Sequence, residues 1–368
     1  MKDEVSALDL YFLVKEFQEL ISSKVNQIYQ LSKKEFLFEF HVPNVGKKML
    51  RIVVPSYLYL TETKGEMPEK PEGFCLHLRK SFKNSRVREI NLVDFERIIE
   101  IVFEKKEGKK KMFLEFFDKG NLIVCNTDNK ISSVLEFQKW TKRIIKPKEI
   151  YKYPTKGFKI DKLNVETLRK LVSQSENDSA VKFLATDVGL GGLYAEEVCL
   201  KLDMDKKTKL KDLDLARIKK TINDLLKKPK SVVTENKEIL PILLESLKSS
   251  KYEEANSFNS ALDLVLTKKV AVKKAKEEGK IKEKAVGKVE KMLSAQQKQI
   301  ETMNKKADES LAKGEAIYNN YQIVKSVVDE INKARKKYSW KEIKEKLKNH
   351  EIIKKINEKT GKITLELK

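Results

Sequence analysis

The segment VGLGGLYAEEV at 188–198 carries residues suited to binding an anion. Gly189-Leu190-Gly191, followed after three residues by Ala195, fits the h-G-h-G-x-x-x-A pattern of a helix–hairpin–helix. The glycines permit a tight turn with positive φ, and the amides that open the next helix can then hold a phosphate. Gly189, Gly191 and Gly192 are therefore candidate phosphate-binding residues.

Two other readings of this segment stay open. The hairpin can serve only to pack helices, because Glu196 and Glu197 would repel a phosphate and Leu193 stands where DNA-binding hairpins usually carry Lys. A glycine-rich dinucleotide loop is disfavoured, because no parallel βαβ unit surrounds the glycines.

Asp9 and Arg97 are the other candidate binding residues. Ser6 and Asp9 sit three residues apart at the start of an apolar helical pattern, so Asp9 is also explained as a first-turn carboxylate in a near capping box. Arg97 alternates with Ile99, Ile101 and Phe103 in a predicted strand. A guanidinium on that buried side needs a carboxylate or phosphate partner, either a distant acid such as Asp9 or a ligand.

The sequence carries no recognisable catalytic or metal-binding motif. Its three histidines, His41, His77 and His350, are isolated, and HExxH, GxSxG and GxxxxGK[ST] are absent. We therefore predict a binding protein rather than an enzyme, with no metal and no cofactor.

The charge balance favours an anionic partner. Lys and Arg number 77 against 55 Asp and Glu, a net charge of +22, and Lys268–Lys291 alone holds ten Lys and four Glu. Nucleic acid fits this balance better than a membrane surface, because the basic stretch lacks bulky apolar anchors. A heat-adapted, lysine-rich surface is the alternative. Three scattered cysteines and the lack of a signal-like or membrane-spanning run predict a cytoplasmic protein.

The first part of the chain predicts an α+β domain at 1–158. An amphipathic helix over 6–23 precedes a change to period-two alternation, which indicates an antiparallel meander with one buried face. A Gly- and Pro-rich loop at 62–73 leads to a short helix that carries Arg79 and Lys80. A second set of strands runs from 95 to 125.

The rest of the chain is predicted to be mostly helical. Residues 159–230 form a helical domain around the glycine hairpin, and 231–262 a linker with Pro241 and a serine pair. A long helical arm follows at 263–338. Its apolar seam has heptad spacing over Ile317, Tyr321, Val324, Val328 and Ile331, which is typical of coiled coils.

The last 30 residues, 339–368, are expected to begin a domain at the tip of the arm. Residues 338–356 read as a short helical unit and 361–368 as a strand.

Several segments, taken together, resemble the NFACT family of ribosome-associated quality-control proteins, in an archaeal-type form. They are SALDL (6–10), GFCLHLRKSF (73–82), FERIIEI (95–101), GNLIV (120–124), RIIKPKEIYKYP (143–154), GLGGLYAEEV (189–198), FNSALD (258–263) and IYNNYQIV with ARKKYSW (317–340). Their order and spacing extend the resemblance over essentially the whole chain.

The resemblance implies a sheet domain similar to that of formamidopyrimidine-DNA glycosylases, then a helix–hairpin–helix domain, then a coiled-coil arm. Family members bind large ribosomal subunits stalled with peptidyl-tRNA and recruit tRNA for template-free tailing of the nascent chain. Their tRNA-binding Asp of the SxLDL motif falls on Asp9, and their Asp-Arg pair falls on Glu96-Arg97, where Glu replaces Asp.

Further site residues are expected from this resemblance. Arg79 and Lys80 are added to the tRNA-binding set, and Tyr338, Trp340 and Lys341 at the tip are expected to contact the ribosome. Family members usually continue into a returning coiled-coil helix, so the chain that stops at Lys368 resembles a shortened member. We expect the seam Ile317–Ile331 to be partly exposed or covered by a second copy in a homodimer.

Two other functions are considered. A DNA-repair-like binder or lyase would follow from the glycosylase likeness, but those enzymes use an N-terminal proline and Lys2 follows Met1 here. An adhesion or scaffold protein would match a label carried by some bacterial relatives. The absence of a secretion signal and the charge of +22 disfavour that function.

Overall fold

The computed structural model of the chain describes residues 4–367, apart from residues 66, 68, 69, 142, 155, 156, 228 and 349 and the side chains of residues 269–288. The chain divides into two compact units, Met1–Lys273 and Lys274–Lys368. In the part of the chain so described, no helix is long and apolar enough to cross a membrane.

The first helix lies inside the core of the first unit. α1 (Ala7–Glu16) starts with a capping box, in which the Asp9 amide donates to Ser6 Oγ (3.2 Å) and the Ser6 amide donates to Asp9 Oδ2 (2.7 Å). A 3₁₀ turn over Phe17–Leu20 extends it. The helix predicted at 6–23 is thus confirmed over most of its length, but it is buried on more than one face, with Leu8 and Phe12 in the core as well.

A large antiparallel sheet surrounds this helix. Its strands are β1 (Lys24–Ser32), β2 (Glu35–Val42), β3 (Gly46–Val53), β4 (Tyr57–Thr61), β5 (Arg86–Leu92), β6 (Ile98–Lys105), β7 (Gly108–Glu115), β8 (Asn121–Asn126) and β9 (Ile131–Val134). Within the described residues they form one sheet in the order β4-β3-β2-β1-β5-β6-β7-β8-β9. α2 (Gly73–Phe82) connects β4 to β5. The meander and the second set of strands are therefore confirmed.

The sheet has two halves that share one core. β1 and β5 pair at Lys24 and Arg86, so the ladder between the halves is brief. Alternate residues of both halves, such as Phe38 and Ile101, are buried in the same cluster as Leu10 of α1. The alternation arises because successive strand side chains point to opposite faces.

A short hairpin packs against the other face of β6–β8. β10 (Gln138–Trp140) and β11 (Arg143–Ile145) pair with each other, and Ile145 and Tyr151 are buried with Phe113 of β7. Arg143 forms an ion pair with Glu115, to which Tyr151 also donates its hydroxyl (2.9 Å). The RIIKPKEIYKYP segment therefore contributes a buried polar cluster to the fold.

The helical region that follows belongs to the same compact unit. It contains α3 (Val165–Gln174), α4 (Ala180–Lys182) with a π-helical continuation at Phe183–Asp187, α5 (Gly192–Lys201) and α6 (Leu215–Lys227). Leu168, Phe183 and Ile222 of this region are buried in the core cluster of the sheet. The predicted domains 1–158 and 159–230 thus share a core.

The prediction of a linker at 231–262 is wrong. β12 (Val232–Thr234), β13 (Ile239–Leu240) and β14 (Tyr252–Glu254) form a small antiparallel sheet in the order β13-β12-β14. The apolar pairs of β12 and β13 enter the main core. Strands of two or three residues are too short to show the alternating pattern of a β-strand. The prolines and serines in this region therefore indicated a linker where the chain forms a sheet.

The base of the long helix is fixed to the first unit by two side chains. α7 (Phe258–Asn319) begins where the Glu16 carboxylate accepts from the amides of Phe258 and Asn259, each at 2.9 Å. Asn259 also pairs with the backbone of Leu60 on edge strand β4, accepting from its amide (2.5 Å) and donating to its carbonyl (3.1 Å). The FNSALD segment therefore joins α7 both to α1 and to the sheet edge.

The second unit contains the end of α7 and a small tip. α8 (Tyr321–Arg335) follows a break at Asn320, whose φ of −112° and ψ of 32° are not helical. The tip consists of α9 (Trp340–Lys346) and the hairpin β15 (Ile353–Asn357) and β16 (Lys362–Leu365). The predicted strand at 361–368 is thus confirmed over β16.

The helical unit predicted at 338–356 is wrong beyond α9. A bulge between Ile353 and Lys355 in β15 brings Ile353 and Ile356 into the same small core. Because these residues are three apart, the bulged strand imitates the spacing of a helix.

The predicted seam is divided between exposed and buried residues. Ile331 is buried by the tip, together with Val327, which lies outside the predicted seam. Ile317, Tyr321 and Val328 are 48%, 56% and 44% exposed. In the single chain these side chains are partly exposed, and the choice between an exposed seam and pairing with a second copy stays a prediction. The side chains of the basic stretch at 269–288 lie outside the described residues.

Asn259→Ala should lower the free energy of unfolding of the first unit by about 1–2 kcal/mol, because two backbone groups of β4 lose their partner. Urea unfolding followed by Trp140 fluorescence in a Trp340→Phe background measures it. Asn256→Ala removes the same amide from an exposed position three residues earlier and is the matched control. Equal effects of the two variants would contradict this role of Asn259.

Candidate nucleic-acid interface

Asp9 faces the interior of the protein. Its side chain is 1% exposed, and Oδ1 accepts a 2.6 Å hydrogen bond from the hydroxyl of Tyr194, which is fully buried in α5. Burial, with the Asp9 charge beside it, raises the pKa of Tyr194 well above its ordinary value, so the hydroxyl stays protonated and donates. In this structure the carboxylate joins α1 to α5.

Arg97 lies at the end of the sheet, just before β6. Its Nη2 forms a 2.5 Å ion pair with Glu4 Oε2, and its side chain is 28% exposed. Its Nε is buried and has no hydrogen-bond acceptor among the described residues. Arg97 therefore has the carboxylate partner that its position requires, and that partner is Glu4 rather than Asp9. The neighbouring Glu96 stands in the turn, where its amide donates to Val93 O (3.1 Å).

Asp9 and Arg97 are linked through the segment that precedes α1. Glu4 and Asp9 line one small pocket of about 20 Å³, whose apolar wall includes Phe258 and Leu262 of α7. That volume is close to the space of one water molecule. The pocket holds Asp9 and Glu4, the ion-pair partner of Arg97, yet it has no room for an RNA group.

Arg79 and Lys80 lie on α2, away from that pocket. Arg79 Nε donates to the carbonyl of Ile28 (2.8 Å), and its guanidinium stacks over the Tyr29 ring at 5.7 Å. Lys80 is exposed, and its carbonyl accepts from Lys105 Nζ (2.9 Å). Arg79 thus fixes α2 to β1, and Lys80 is the one of the pair that faces solvent.

The glycine turn before α5 has the geometry that its sequence predicts. Gly189 and Gly191 have φ of 85° and 78°, which a residue with a Cβ rarely adopts. Gly191 is the N-cap of α5, and no side chain caps that helix. Because the first amides of a helix lack intrahelical acceptors, those of Gly192 and Leu193 point out of the helix end.

The two acids that argued against an anion here both have a lysine partner. Glu197 is buried, and its carboxylate accepts from the Glu245 amide (3.0 Å) and pairs with Lys201 (3.3 Å). Glu196 is exposed and pairs with Lys206 at 2.9 Å. These ion pairs weaken the repulsion expected at the turn.

A basic groove on α6 was missed by the sequence analysis. Lys219, Lys220 and Lys227 line an open groove of about 410 Å³ with Asn223 and the acid Asp224, beside Val165 of α3. Among the described residues, none of these three lysines has a carboxylate within 4.0 Å. The period of α6 could have revealed this face, because Ile218, Ile222 and Leu225 are buried on the opposite side.

The predicted tip residues have different environments. Trp340 packs between the Arg335 guanidinium, 4.8 Å from its ring, and Gly361, where a Cβ would lie 2.9 Å from Trp340 Cζ2. Tyr338 is exposed under Lys346 Nζ at 3.6 Å, and Lys341 is exposed. Trp340 therefore stabilises the tip, and the other two form its surface. In the described parts of the chain, no group of His, Cys, Asp or Glu could hold a metal ion.

Solved structures share the fold of about 70% of this chain. The N-terminal part of a fibronectin/fibrinogen-binding protein from Streptococcus suis matches with a TM-score of 0.58 and 19% identity, over 72% of this chain and 100% of that chain. The fibrinogen-binding protein from Staphylococcus aureus matches with a TM-score of 0.55 and 20% identity, over 70% and 97%. At these identities the likeness shows an α+β fold built on an antiparallel sheet.

The family is shown by sequence. A model of the NFACT N-terminal and middle domains matches residues 6–365, so the chain belongs to the NFACT family. The archaeal Rqc2 homolog aRqcH of Methanocaldococcus jannaschii is 31% identical over 396 aligned positions, which cover 100% of this chain and 59% of that protein. The human ribosome quality control complex subunit NEMF is 22% identical, over 93% of this chain and 35% of that protein.

Arg97→Ala should change the free energy of unfolding by less than about 1 kcal/mol, because its ion pair with Glu4 is partly exposed. Arg143→Ala is the matched arginine control. Its partner Glu115 is 1% exposed, so that loss should cost about 3–5 kcal/mol. Thermal unfolding by circular dichroism compares them, and an equally large loss for Arg97→Ala would show that Arg97 serves the fold.

Proposed function

We propose that this chain is the RNA- and ribosome-binding part of a ribosome quality control factor. It recognises large ribosomal subunits stalled with peptidyl-tRNA and recruits tRNA for template-free tailing. The observation that carries the proposal is the family match over residues 6–365, together with relatives named as ribosome quality control proteins. The chain spans 59% of the length of the archaeal relative, so the role proposed for this chain is that of the matching part of the relative.

The proposed work of the chain is binding rather than catalysis. The turn at Gly189–Gly192 acts as a helix–hairpin–helix that holds an RNA phosphate at the start of α5. Two uncapped amides, positive φ at two glycines and paired acids nearby support this assignment. The sheet domain takes the glycosylase-like role of a nucleic-acid-binding platform, on which Arg97 and Lys80 face the RNA.

The α6 groove supplies a second contact with the RNA backbone. Its three lysines outnumber the one acid of the groove, Asp224, and among the described residues none of them has a carboxylate within 4.0 Å. Lysine–phosphate contacts release counterions from RNA, so they strengthen binding at low salt. The exposed Tyr338 and Lys341 at the tip are proposed to contact the ribosome. The consecutive helices α7 and α8 are proposed to be one strand of a coiled-coil arm.

The test is to sequence the RNA that co-purifies with the chain at low salt. The proposal predicts enrichment of tRNA and large-subunit rRNA over total cellular RNA. Lys219→Gln/Lys220→Gln should recover several-fold less tRNA, because two phosphate contacts are lost. Recovery of neither RNA class with the unaltered chain would contradict the proposal.

The control for the lysine variant removes the same charge elsewhere. Lys182→Gln/Lys248→Gln also deletes two lysines, but these are paired with Asp178 and Glu245. If both double variants lose the same amount of tRNA, net charge rather than the α6 groove determines binding.

A further inference from the structure

The contact between Asp9 and Tyr194 uses both oxygens of a buried carboxylate. Oδ2 accepts from the Ser6 amide and Oδ1 from the Tyr194 hydroxyl, 185 residues away along the chain. Asp9 is 1% exposed and Tyr194 is fully buried. Both oxygens of Asp9 already accept a hydrogen bond, so an RNA group that bound there would have to displace one of these donors.

The same carboxylate lies where two helices begin. Asp9 is in the first turn of α1 and Tyr194 is in the first turn of α5. Gly191, the N-cap of α5, lies against Ser6, the N-cap of α1, so that a Cβ added to Gly191 would be 4.0 Å from Ser6 Cβ. A negative charge near a helix N-terminus is favourable, and the Asp9 carboxylate has this position in α1.

The segment between Glu4 and Asp9 then connects this contact to Arg97. Glu4 pairs with Arg97 at the end of the sheet, and the Val5 amide donates to Ser56 O (2.8 Å) in the β3–β4 turn. One short stretch of chain therefore carries both the carboxylate that holds Arg97 and the carboxylate that holds α5.

We propose that Tyr194 is a positioning residue for RNA binding. Its hydroxyl holds the glycine turn of α5 against the start of α1, and so fixes the distance between that turn and Arg97. Asp9 acts through this contact and does not touch RNA. This inference rests on the proposed function, which supplies the RNA ligand. It deepens that function because Asp9, a predicted tRNA-binding residue, receives an indirect role and Tyr194 is added to the residues on which RNA binding depends.

Equilibrium binding of deacylated tRNA to four proteins tests the proposal: wild type, Asp9→Asn, Tyr194→Phe and the double variant. Each single change should weaken binding about tenfold, as expected for one hydrogen bond to a charged group. The double variant should bind tRNA as tightly as the single variant with the lower affinity, because both changes break the same contact. The salt dependence of binding should stay the same, since neither change removes a lysine or arginine that pairs with phosphate.

Tyr151→Phe is the matched control for a purely structural effect. It also removes a buried tyrosine hydroxyl from a carboxylate, that of Glu115, but away from the glycine turn. It should lower the melting temperature to a similar degree and leave tRNA binding unchanged. Equal losses of binding for Tyr151→Phe and Tyr194→Phe would overturn the proposal.

The remaining outcomes separate this proposal from the proposed function. If wild type binds tRNA and Tyr194→Phe binds it equally well, while Asp9→Asn binds weakly, Asp9 contacts RNA directly and the positioning role is overturned. Additive losses in the double variant would overturn it too. If wild type binds no tRNA, the proposed function itself fails, and the positioning role fails with it.

Discussion

The buried carboxylate of Asp9 is the constraint on which the arrangement of the first unit depends. A carboxylate is costly to remove from water unless its oxygens accept hydrogen bonds. Here the Ser6 amide and the Tyr194 hydroxyl supply them, and the start of α1 adds a favourable field. Because the two donors come from distant parts of the chain, meeting this requirement brings the sheet domain and the glycine turn together.

α1 has a comparable role at its other end. Glu16, its last residue, accepts from the first two amides of α7, which lack partners within their own helix. A single helix thus holds α5 near its first turn and α7 at its last residue. The glycine turn and the base of the long helix are therefore attached to α1, and the end of the sheet is attached to Glu4 just before it.

The sequence was sufficient where a local pattern decides the structure. The Ser6–Asp9 capping box, the period-two strands and the positive φ of Gly189 and Gly191 all follow from residues close together in the chain. The bulge in β15 shows the limit, since it gives Ile353 and Ile356 a helical spacing within a strand. The small sheet at Val232–Glu254 could not be predicted from periodicity, because its strands of two or three residues are too short to show an alternating pattern.

The partners of the candidate site could not be read from sequence. The capping box accounts for one oxygen of Asp9, but the donor to the other is Tyr194, and a pattern along the chain does not identify a residue 185 positions away. Arg97 was expected to need an acid, and several acids were available. Which of these acids pairs with Arg97 depends on how residues 4–6 lie against the end of the sheet.

Amide hydrogen exchange of the Asp9→Asn variant tests the central claim most directly. If one carboxylate joins two helices, the variant should lose protection together at the first hydrogen-bonded amides of α1 and α5, those of Leu10 and Ala195, while α8 in the second unit keeps its protection. Loss of protection confined to α1 would contradict the account, because Asp9 would then be no more than the cap of its own helix.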